Sequence, residues 1–307
     1  MRFGAFCESG DSSGWFPEQL PELLALSRHA AGRQVNETPD NDGELARRAG
    51  AGDQGAWRLI RPVDAAADQA IVEGLVAALR LGKRLRAVTQ QTDQLDAFGL
   101  IPPSLQINMR VQPGNIKKQL LIGSKSPVGP LVYSKWHDES AVFLLDERFQ
   151  RSFQKTAYAL RDKRLLAVNV GELRRVTVTF DKDGLTLAEQ DGTWQLTAPE
   201  EQAVDQGKVT SYLKQLGLMY VKEFLDQADP EAKIFGLTTS KHVVELQDHS
   251  GVATTLRIGK KDEAKDAYYV SVNQRPPVLL VKPSVVDELK VSYYTFLPTP
   301  NEESNQS

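Results

Sequence analysis

The chain repeats itself, and this feature constrains its fold more than any other. A shift of 137 residues places Trp57 on Trp194 and aligns Phe98-Gly99-Leu100 with Phe235-Gly236-Leu237. The same shift matches Gly55, Leu59, Pro62, Ala66, Asp68, Gln69, Val72, Leu79 and Leu81 with Gly192, Leu196, Pro199, Ala203, Asp205, Gln206, Val209, Leu216 and Leu218. After a one-residue deletion, Leu120, Ile122, Gly123, Lys125, Tyr133, Val142 and Leu144 meet Leu256, Ile258, Gly259, Lys261, Tyr269, Val278 and Leu280. Because a solenoid unit spans only about 20–50 residues, the sequence predicts two copies of one domain.

Each copy contains the same series of predicted elements. Trp57 and Trp194 alternate with polar residues and indicate a half-buried strand. Asp68 and Asp205 precede apolar residues at helical spacing, so they are predicted N-caps. Further strands are predicted at 105–111, 119–122, 131–135 and 142–145 in the first copy and at 242–246, 254–258, 267–272 and 278–281 in the second. A closing helix is predicted from Glu147 in the first copy and from Pro283 in the second.

These elements define the fold class as α+β: two tandem homologous domains, each an antiparallel meander sheet with one or two packed helices. The last predicted strand of each copy is apolar throughout, which indicates a central strand covered on both faces. Gly99 and Gly236 are predicted to take a positive φ after a short helical turn. The predicted divisions are a poorly defined N-terminal segment over 1–35, repeat domains over 36–160 and 161–298, and a flexible tail over 299–307.

The start of the chain and the connection between the copies show weaker patterns. Leu20, Leu23, Leu24 and Leu26 favour one short amphipathic helix. A leading hairpin is predicted over 176–187 in the second copy. Residues 35–55 of the first copy are polar and favour a loop or a degraded hairpin, because only a weak counterpart of that hairpin occurs around 42–45. The linker over 157–171 is predicted to be helical.

Composition narrows the possible functions. The chain has 37 basic and 40 acidic residues and a net charge of −3, which argues against general affinity for nucleic acid. Its one cysteine, Cys7, excludes an internal disulfide framework and a cysteine-rich zinc site. No run of 18 apolar residues occurs, so the sequence predicts no transmembrane segment in this chain.

Three short motifs match patterns of serine nucleophiles without the context that the chemistry needs. Ser12 lies in a G-x-S-x-G match, but a nucleophile elbow requires a strand before the serine, and none is predicted there. Ser152 with Lys155 and Ser211 with Lys214 fit S-x-x-K, yet the companion motifs S-D-N and K-T-G are absent. We therefore expect a flexible terminus around Ser12 and ordinary helix surface at the other two serines.

The histidines are the candidate metal ligands of this sequence. The four histidines are His29, His137, His242 and His249. A catalytic zinc site needs about three converging protein ligands, and the last two histidines lie at opposite ends of one predicted strand. His137-Asp138-Glu139 is the more suggestive cluster, but its counterpart is Asn273-Gln274-Arg275, and a predicted hairpin turn is polar in any case. A solvated turn is therefore favoured over a metal site.

Trp57 and Trp194 could stack on a sugar or a base, although their repeated strand position favours a role in the core. No phosphate loop, dinucleotide fingerprint or calcium loop occurs in the sequence. The sequence thus assigns no catalytic residue, no metal ligand and no cofactor, and it leaves the binding residues unknown.

The order of motifs resembles a known family. The residues that carry the resemblance are Trp57-Arg58-Leu59 running to Pro62, Phe98-Gly99-Leu100, Leu121-Ile122-Gly123, Tyr133, Val142-Phe143-Leu144 and the segment 160–166. This order, over roughly residues 40–297 and doubled, is similar to the bacterial family catalogued as domain of unknown function 4340. The resemblance implies an extracytoplasmic protein, usually tethered by one N-terminal helix and in some members associated with auxiliary components of ABC transporters of the gliding-motility type. It implies no catalytic residues.

The beginning of this chain departs from the family pattern. Residues 1–14 contain no apolar helix, and Cys7 lacks the apolar stretch and small residue of a lipoprotein signal. We expect that an anchor either lies upstream of Met1 or has been lost. The periplasmic or envelope-associated location is therefore an expectation that follows from the resemblance.

Three functional hypotheses follow from the sequence. The leading one is a non-enzymatic cell-envelope module, an interaction or accessory component of an ABC-type transport system whose partners are membrane transporter subunits or other envelope proteins, not nucleic acid. It rests on the residues that the copies share, because most of them build a fold. The alternative is a protein that binds a solute or cell-wall fragment between the two domains. A remote alternative is a hydrolase centred on His137-Asp138-Glu139 or Ser12.

Overall fold

A computed structural model describes residues 20–28, 43–47, 55–90, 93–112 and 115–298. The chain divides into two compact units, Met1–Asp162 and Lys163–Ser307. Each unit is built on one nine-stranded sheet in which all neighbouring strands run antiparallel, with helices packed against it. The predicted fold class, α+β in two tandem domains, is confirmed.

The first unit contains nine strands and three helices among its described residues. The strands are β1 (Leu20–Arg28), β2 (Gly43–Arg47), β3 (Trp57–Arg61), β4 (Ala65–Ala66), β5 (Arg86–Thr89), β6 (Leu105–Gln112), β7 (Ile116–Lys125), β8 (Leu131–Trp136) and β9 (Val142–Asp146). The helices are α1 (Gln69–Leu81), α2 (Glu147–Ser152) and α3 (Ala157–Leu160). The strand order is β4-β3-β2-β1-β6-β7-β8-β9-β5.

The second unit repeats this plan. Its strands are β10 (Leu173–Phe180), β11 (Asp183–Gln190), β12 (Thr193–Ala198), β13 (Gln202–Ala203), β14 (Glu223–Leu225), β15 (His242–Asp248), β16 (Ala253–Asp262), β17 (Ala267–Val272) and β18 (Arg275–Val281). Its helices are α4 (Gln206–Leu216) and α5 (Pro283–Leu289), and a 3₁₀ turn over Tyr293–Phe296 takes the place of α3. The order β13-β12-β11-β10-β15-β16-β17-β18-β14 is that of the first sheet, strand for strand.

The helices begin where the sequence predicts. The Asp68 carboxylate accepts the Ile71 N–H at 3.1 Å, and Asp205 accepts the Lys208 N–H at 3.1 Å. Each aspartate thus satisfies one of the free N–H groups of a helix start. The apolar faces of α1 and α4 then pack into the core of their own unit.

Each sheet is covered on both faces at its next-to-last strand, which is β9 in the first unit and β18 in the second. In the first unit, α1 and α2 lie on one face over the main core. In the second unit, a smaller cluster of Phe235, Leu237 and Val278 covers the far face. Gly99 and Gly236 end the covering turns with φ of 63° and 67°, which confirms the prediction for both.

Two predictions, one for the start of the chain and one for the linker, are wrong. Leu20–Arg28 is a strand, not a helix, and it joins the first sheet although the sequence placed 1–35 outside the domain. Leu24 and Leu26 are both buried, so a two-residue period decides this segment. Residues 43–47 form β2, which pairs antiparallel with β1, so of the two predicted alternatives, a loop or a degraded hairpin, the hairpin is confirmed here. In the linker, only Ala157–Leu160 is α-helical, and Val170–Glu172 is a 3₁₀ turn.

The apolar strands β9 and β18 also differ from the prediction in position. Both are buried on both faces, as predicted, but each lies next to the last strand of its sheet rather than at the centre. The short strands β5 and β14 pair with them on the outer side. Ser12, Cys7 and the tail over 299–307 lie outside the described residues. The longest helix in the described ranges has 13 residues, and none there has the length and hydropathy needed to cross a bilayer.

Candidate functional site

The most specific polar arrangement shared by the two units is a glutamine that clamps the backbone of a tryptophan. The Gln69 side chain accepts the Trp57 N–H at 2.8 Å and donates to the carbonyl oxygens of Trp57 at 2.9 Å and Ala67 at 2.8 Å. Gln206 does the same for Trp194, accepting its N–H at 2.9 Å and donating to its carbonyl at 2.8 Å. The matched glutamines therefore fasten the helix start to a strand, which is a structural role.

We expect Gln69→Ala to lower the free energy of unfolding of the first unit by about 2–3 kcal/mol, since it removes three hydrogen bonds to backbone groups at about 1 kcal/mol each. Urea unfolding of the purified chain, read by circular dichroism, measures the loss. Gln90→Ala, at an exposed position, is the matched control and is expected to change stability by less than about 0.5 kcal/mol. Equal effects of the two substitutions would contradict the clamp.

The other matched polar residues also have partners inside their own unit. Lys125 pairs with Glu147 at 2.6 Å, and Lys261 pairs with Asp266 at 2.9 Å. These ion pairs hold the bulged strands β7 and β16 to neighbouring segments. Together with the two capping aspartates, these ion pairs show that the matched polar residues form their contacts within their own unit.

The serines of the S-x-x-K motifs do not bond to their lysines. The Ser152 hydroxyl donates to the Arg148 carbonyl at 2.9 Å, and the Ser211 hydroxyl donates to the Gly207 carbonyl at 2.8 Å. Both are the ordinary back-bond of a helical serine to the carbonyl four residues earlier. A serine held in this way is not activated by a base.

Both carboxylates of the His137-Asp138-Glu139 turn form ion pairs. Lys118 Nζ lies 2.5 Å from Asp138 Oδ2, and Arg84 Nη2 lies 2.6 Å from Glu139 Oε1. The hydrogen bond from Lys118 holds the pKa of the Asp138 carboxyl below its usual value. Each carboxylate is already neutralised, and no group of three His, Cys, Asp or Glu that could hold a metal ion occurs within the described ranges.

His242 and His249 each lie beside a carboxylate, whereas His29 lies outside the described residues. His242 Nε2 lies 3.2 Å from Asp181 Oδ2, and its ring stacks on Phe180. His249 Nε2 lies 3.6 Å from Glu189 Oε2. They stand at the two ends of β15, as the sequence predicts.

The two tryptophans differ in exposure. Trp57 is 1% exposed; its indole N–H donates to Glu73 at 2.9 Å, and the Arg47 guanidinium lies 5.1 Å from the centre of its ring. Trp194 is half-buried and borders a pocket of about 390 Å³. The predicted core role is confirmed fully for Trp57 and in part for Trp194. The second copy has Thr210 in place of Glu73, so it lacks the glutamate that covers the Trp57 indole in the first copy.

Several apolar side chains are exposed at equivalent positions of both units. Leu81 and Leu218, just at or beyond the ends of α1 and α4, are 74% and 66% exposed. Ile116 and Val252, at the starts of β7 and β16, are 40% and 62% exposed. Sequence reasoning matched the two leucines but could not distinguish them from core residues. The sequence signal for their exposure was their position, two residues after the last apolar residue of each helical face.

A second feature that sequence reasoning missed lies at the end of the β6–β7 hairpin. It is a pocket of about 330 Å³ in the first unit, with Arg110, Lys117 and His137 among its lining residues. The sequence shows the two cations close to consecutive predicted strands: Arg110 lies on the strand over 105–111, and Lys117 lies two residues before the strand over 119–122. Only the register of those strands brings them opposite one another.

No match was found among curated proteins, and none among solved structures. One family model, described as domain of unknown function (DUF4340), matches residues 57–233 and again residues 194–297. The two matched regions together span both units, in agreement with the doubled fold. The chain therefore belongs to the DUF4340 family.

Proposed function

We propose that this protein is a non-enzymatic module of the cell envelope that binds protein partners, as an accessory component of an ABC-type transport system. The observation that carries the proposal is a difference between the polar and the apolar residues that the two units share. Their shared polar residues are engaged within the fold, whereas Leu81 and Leu218 are shared, apolar and exposed. A duplicated catalytic site would instead share free polar groups.

The exposed leucines favour an interaction surface. A single exposed leucine is ordinary on a protein surface. The same residue retained at the end of the same helix in both copies, where neither unit uses it for packing, is what a duplicated contact would preserve. The periplasmic location and the transporter partner are proposed on the family resemblance. The alternative of a solute or cell-wall fragment between the domains stays a prediction.

We expect the protein, captured from gently cross-linked native membranes, to bring transporter subunits with it. Leu81→Gln with Leu218→Gln should reduce this recovery by about tenfold, the size expected when an interface loses its central anchors. Ile234→Gln is the matched control: Ile234 is 70% exposed, but its counterpart in the first copy is Ala97, so it is not part of the shared surface. Quantitative mass spectrometry measures the recovery.

Two results would contradict the proposal. Recovery of cytosolic proteins alone would contradict the envelope location and the transporter partner. Equal recovery with the double leucine variant and with Ile234→Gln would contradict the leucines as the contact. Far-ultraviolet circular dichroism of both variants controls for folding, and substitutions at such exposed positions usually change stability by about 0.5 kcal/mol or less.

A further inference from the structure

The β6–β7 hairpin of the first unit places two cations directly opposite each other. Arg110 on β6 is the register partner of Lys117 on β7, and Asn108 is the partner of Gln119. Directly opposed residues of antiparallel strands point to the same face, with Cβ atoms about 5 Å apart. All four residues, with His137, line the pocket of about 330 Å³.

This arrangement is unfavourable unless something negative lies between the cations. Like charges directly opposed on a sheet destabilise it. The Arg110 Nε is buried and has no hydrogen-bond partner among the residues that the structure describes, and a buried donor left in this state costs free energy. None of the ion pairs found among the described residues includes Arg110 or Lys117.

The neighbouring carboxylate does not neutralise these two cations. Asp138 also borders the pocket, but it is paired with Lys118. With that pair counted as neutral, Arg110 and Lys117 leave two positive charges in the lining. The pocket is therefore cationic even where His137 is uncharged.

Polar side chains beside the cations are oriented as donors. The Asn108 side-chain oxygen accepts from Gln119 Nε2 at 2.7 Å and from Gln106 Nε2 at 3.1 Å. Because the oxygen is engaged twice, the NH₂ group of Asn108 remains to donate to a ligand. A guanidinium, an ammonium and an amide NH₂ together match the acceptor oxygens of a phosphate or a carboxylate.

The second unit shows that the fold does not need these charges. In the same register, Gln247 stands opposite Ala253 where the first unit has Arg110 opposite Lys117. The residue equivalent to His137 is Asn273. The second sheet forms with the same strand order and neutral residues at this place. The facing cations thus occur in the first unit and not at the equivalent place of the second.

We propose that this pocket is a binding site for an oxyanion, the phosphate or carboxylate group of a small ligand. Arg110 and Lys117 contact its oxygens from two sides, and the Asn108 NH₂ group donates a further hydrogen bond. The ligand relieves the repulsion between the facing cations. The site lies within the first unit and is independent of the protein-binding role proposed above.

The test uses the purified full chain with inorganic phosphate and, separately, succinate. We expect at least one of them to raise the unfolding midpoint saturably, beyond sodium chloride at equal ionic strength, and calorimetric titration to give its affinity. Arg110→Gln and Lys117→Ala install the residues of the second unit and should each weaken binding about tenfold or more. Lys83→Ala removes one exposed charge from the same unit and should leave affinity unchanged.

A response to phosphate alone identifies a phosphate-bearing ligand, and a response to succinate alone identifies a carboxylate; either supports the site. Without added anion, Lys117→Ala should unfold at the parent's midpoint or above it, because one of two repelling charges is gone. A midpoint below the parent's would overturn the argument from repulsion. Absence of a saturable response to both anions, or equal weakening by Lys83→Ala, would overturn the binding site.

Discussion

We expect Gly123→Ala to lower the free energy of unfolding of the first unit by about 3 kcal/mol, at the upper end of the usual cost of overpacking. The strand β7 bulges at this glycine, and the turn that covers the far face of the sheet rests on it. A Cβ at position 123 would lie 2.2 Å from the Phe98 carbonyl oxygen and 3.0 Å from Gly99. Both obstacles are backbone, so no side-chain rotation relieves them.

Thermal unfolding of the full chain should show the loss as a midpoint about 6–12 °C lower for the first unit, at 2–4 °C per kcal/mol for a domain of this size. Hydrogen exchange read by mass spectrometry assigns the effect to a unit, since it reports local opening along the chain. The exchange of β7 and β8 should rise, and that of β16 and β17 should stay unchanged.

Gly74→Ala is the matched control. Gly74 lies within α1, and a Cβ there meets nothing within 4 Å. Alanine in an exposed helix interior is favoured over glycine by about 0.5–1 kcal/mol, so this substitution should raise the midpoint. A loss from Gly123→Ala no larger than the change from Gly74→Ala would contradict the close approach of the covering turn.

The repeat itself allowed most of the fold to be predicted. The helices α1 and α4 were predictable because an aspartate cap precedes apolar residues on one helical face. The strands β6 and β15 were predictable because apolar and polar residues alternate along them. These signals are local, so each could be recognised within a window of about ten residues, and the second copy checked the first.

The strands that were missed depend on partners far along the chain. Leucines at 20, 23, 24 and 26 satisfy a helical period as well as an alternating one, and pairing of β1 with β6, about 80 residues later, decides between them. The strand β5 is exposed along most of its length and has no apolar period. It exists because β9 offers it a free edge, which is a property of the assembled sheet.

The candidate sites were predicted less well for the same reason. The sequence identified Gln69 and Gln206 as matched residues, but their bonds to tryptophan backbone join groups 12 residues apart. The facing of Arg110 and Lys117 depends on hairpin register, which a pattern of alternation does not determine. Composition and motifs describe which groups are present, whereas a site is made by the groups that the fold brings together.

We expect Trp57→Ala to have the largest effect, a loss of about 3–5 kcal/mol from the free energy of unfolding of the first unit, as for other buried aromatic residues. Trp57 is fully buried in the main core. Its removal leaves a cavity and also leaves Glu73 without the indole N–H that it accepts. Urea unfolding with detection by circular dichroism gives the loss, and hydrogen exchange should show it in β3 and α1.

The repeat supplies the comparison for this result. Trp194→Ala makes the same chemical change at the equivalent position of the second unit, with the same backbone clamp from Gln206. Because Trp194 is half-buried, the area returned to water is smaller, and we expect about half the loss. Both variants keep the glutamine clamp, which bonds to backbone atoms, so the difference between them isolates side-chain burial. Equal losses in the two units would show that the cover formed by Arg47 and Glu73 contributes nothing to the first core.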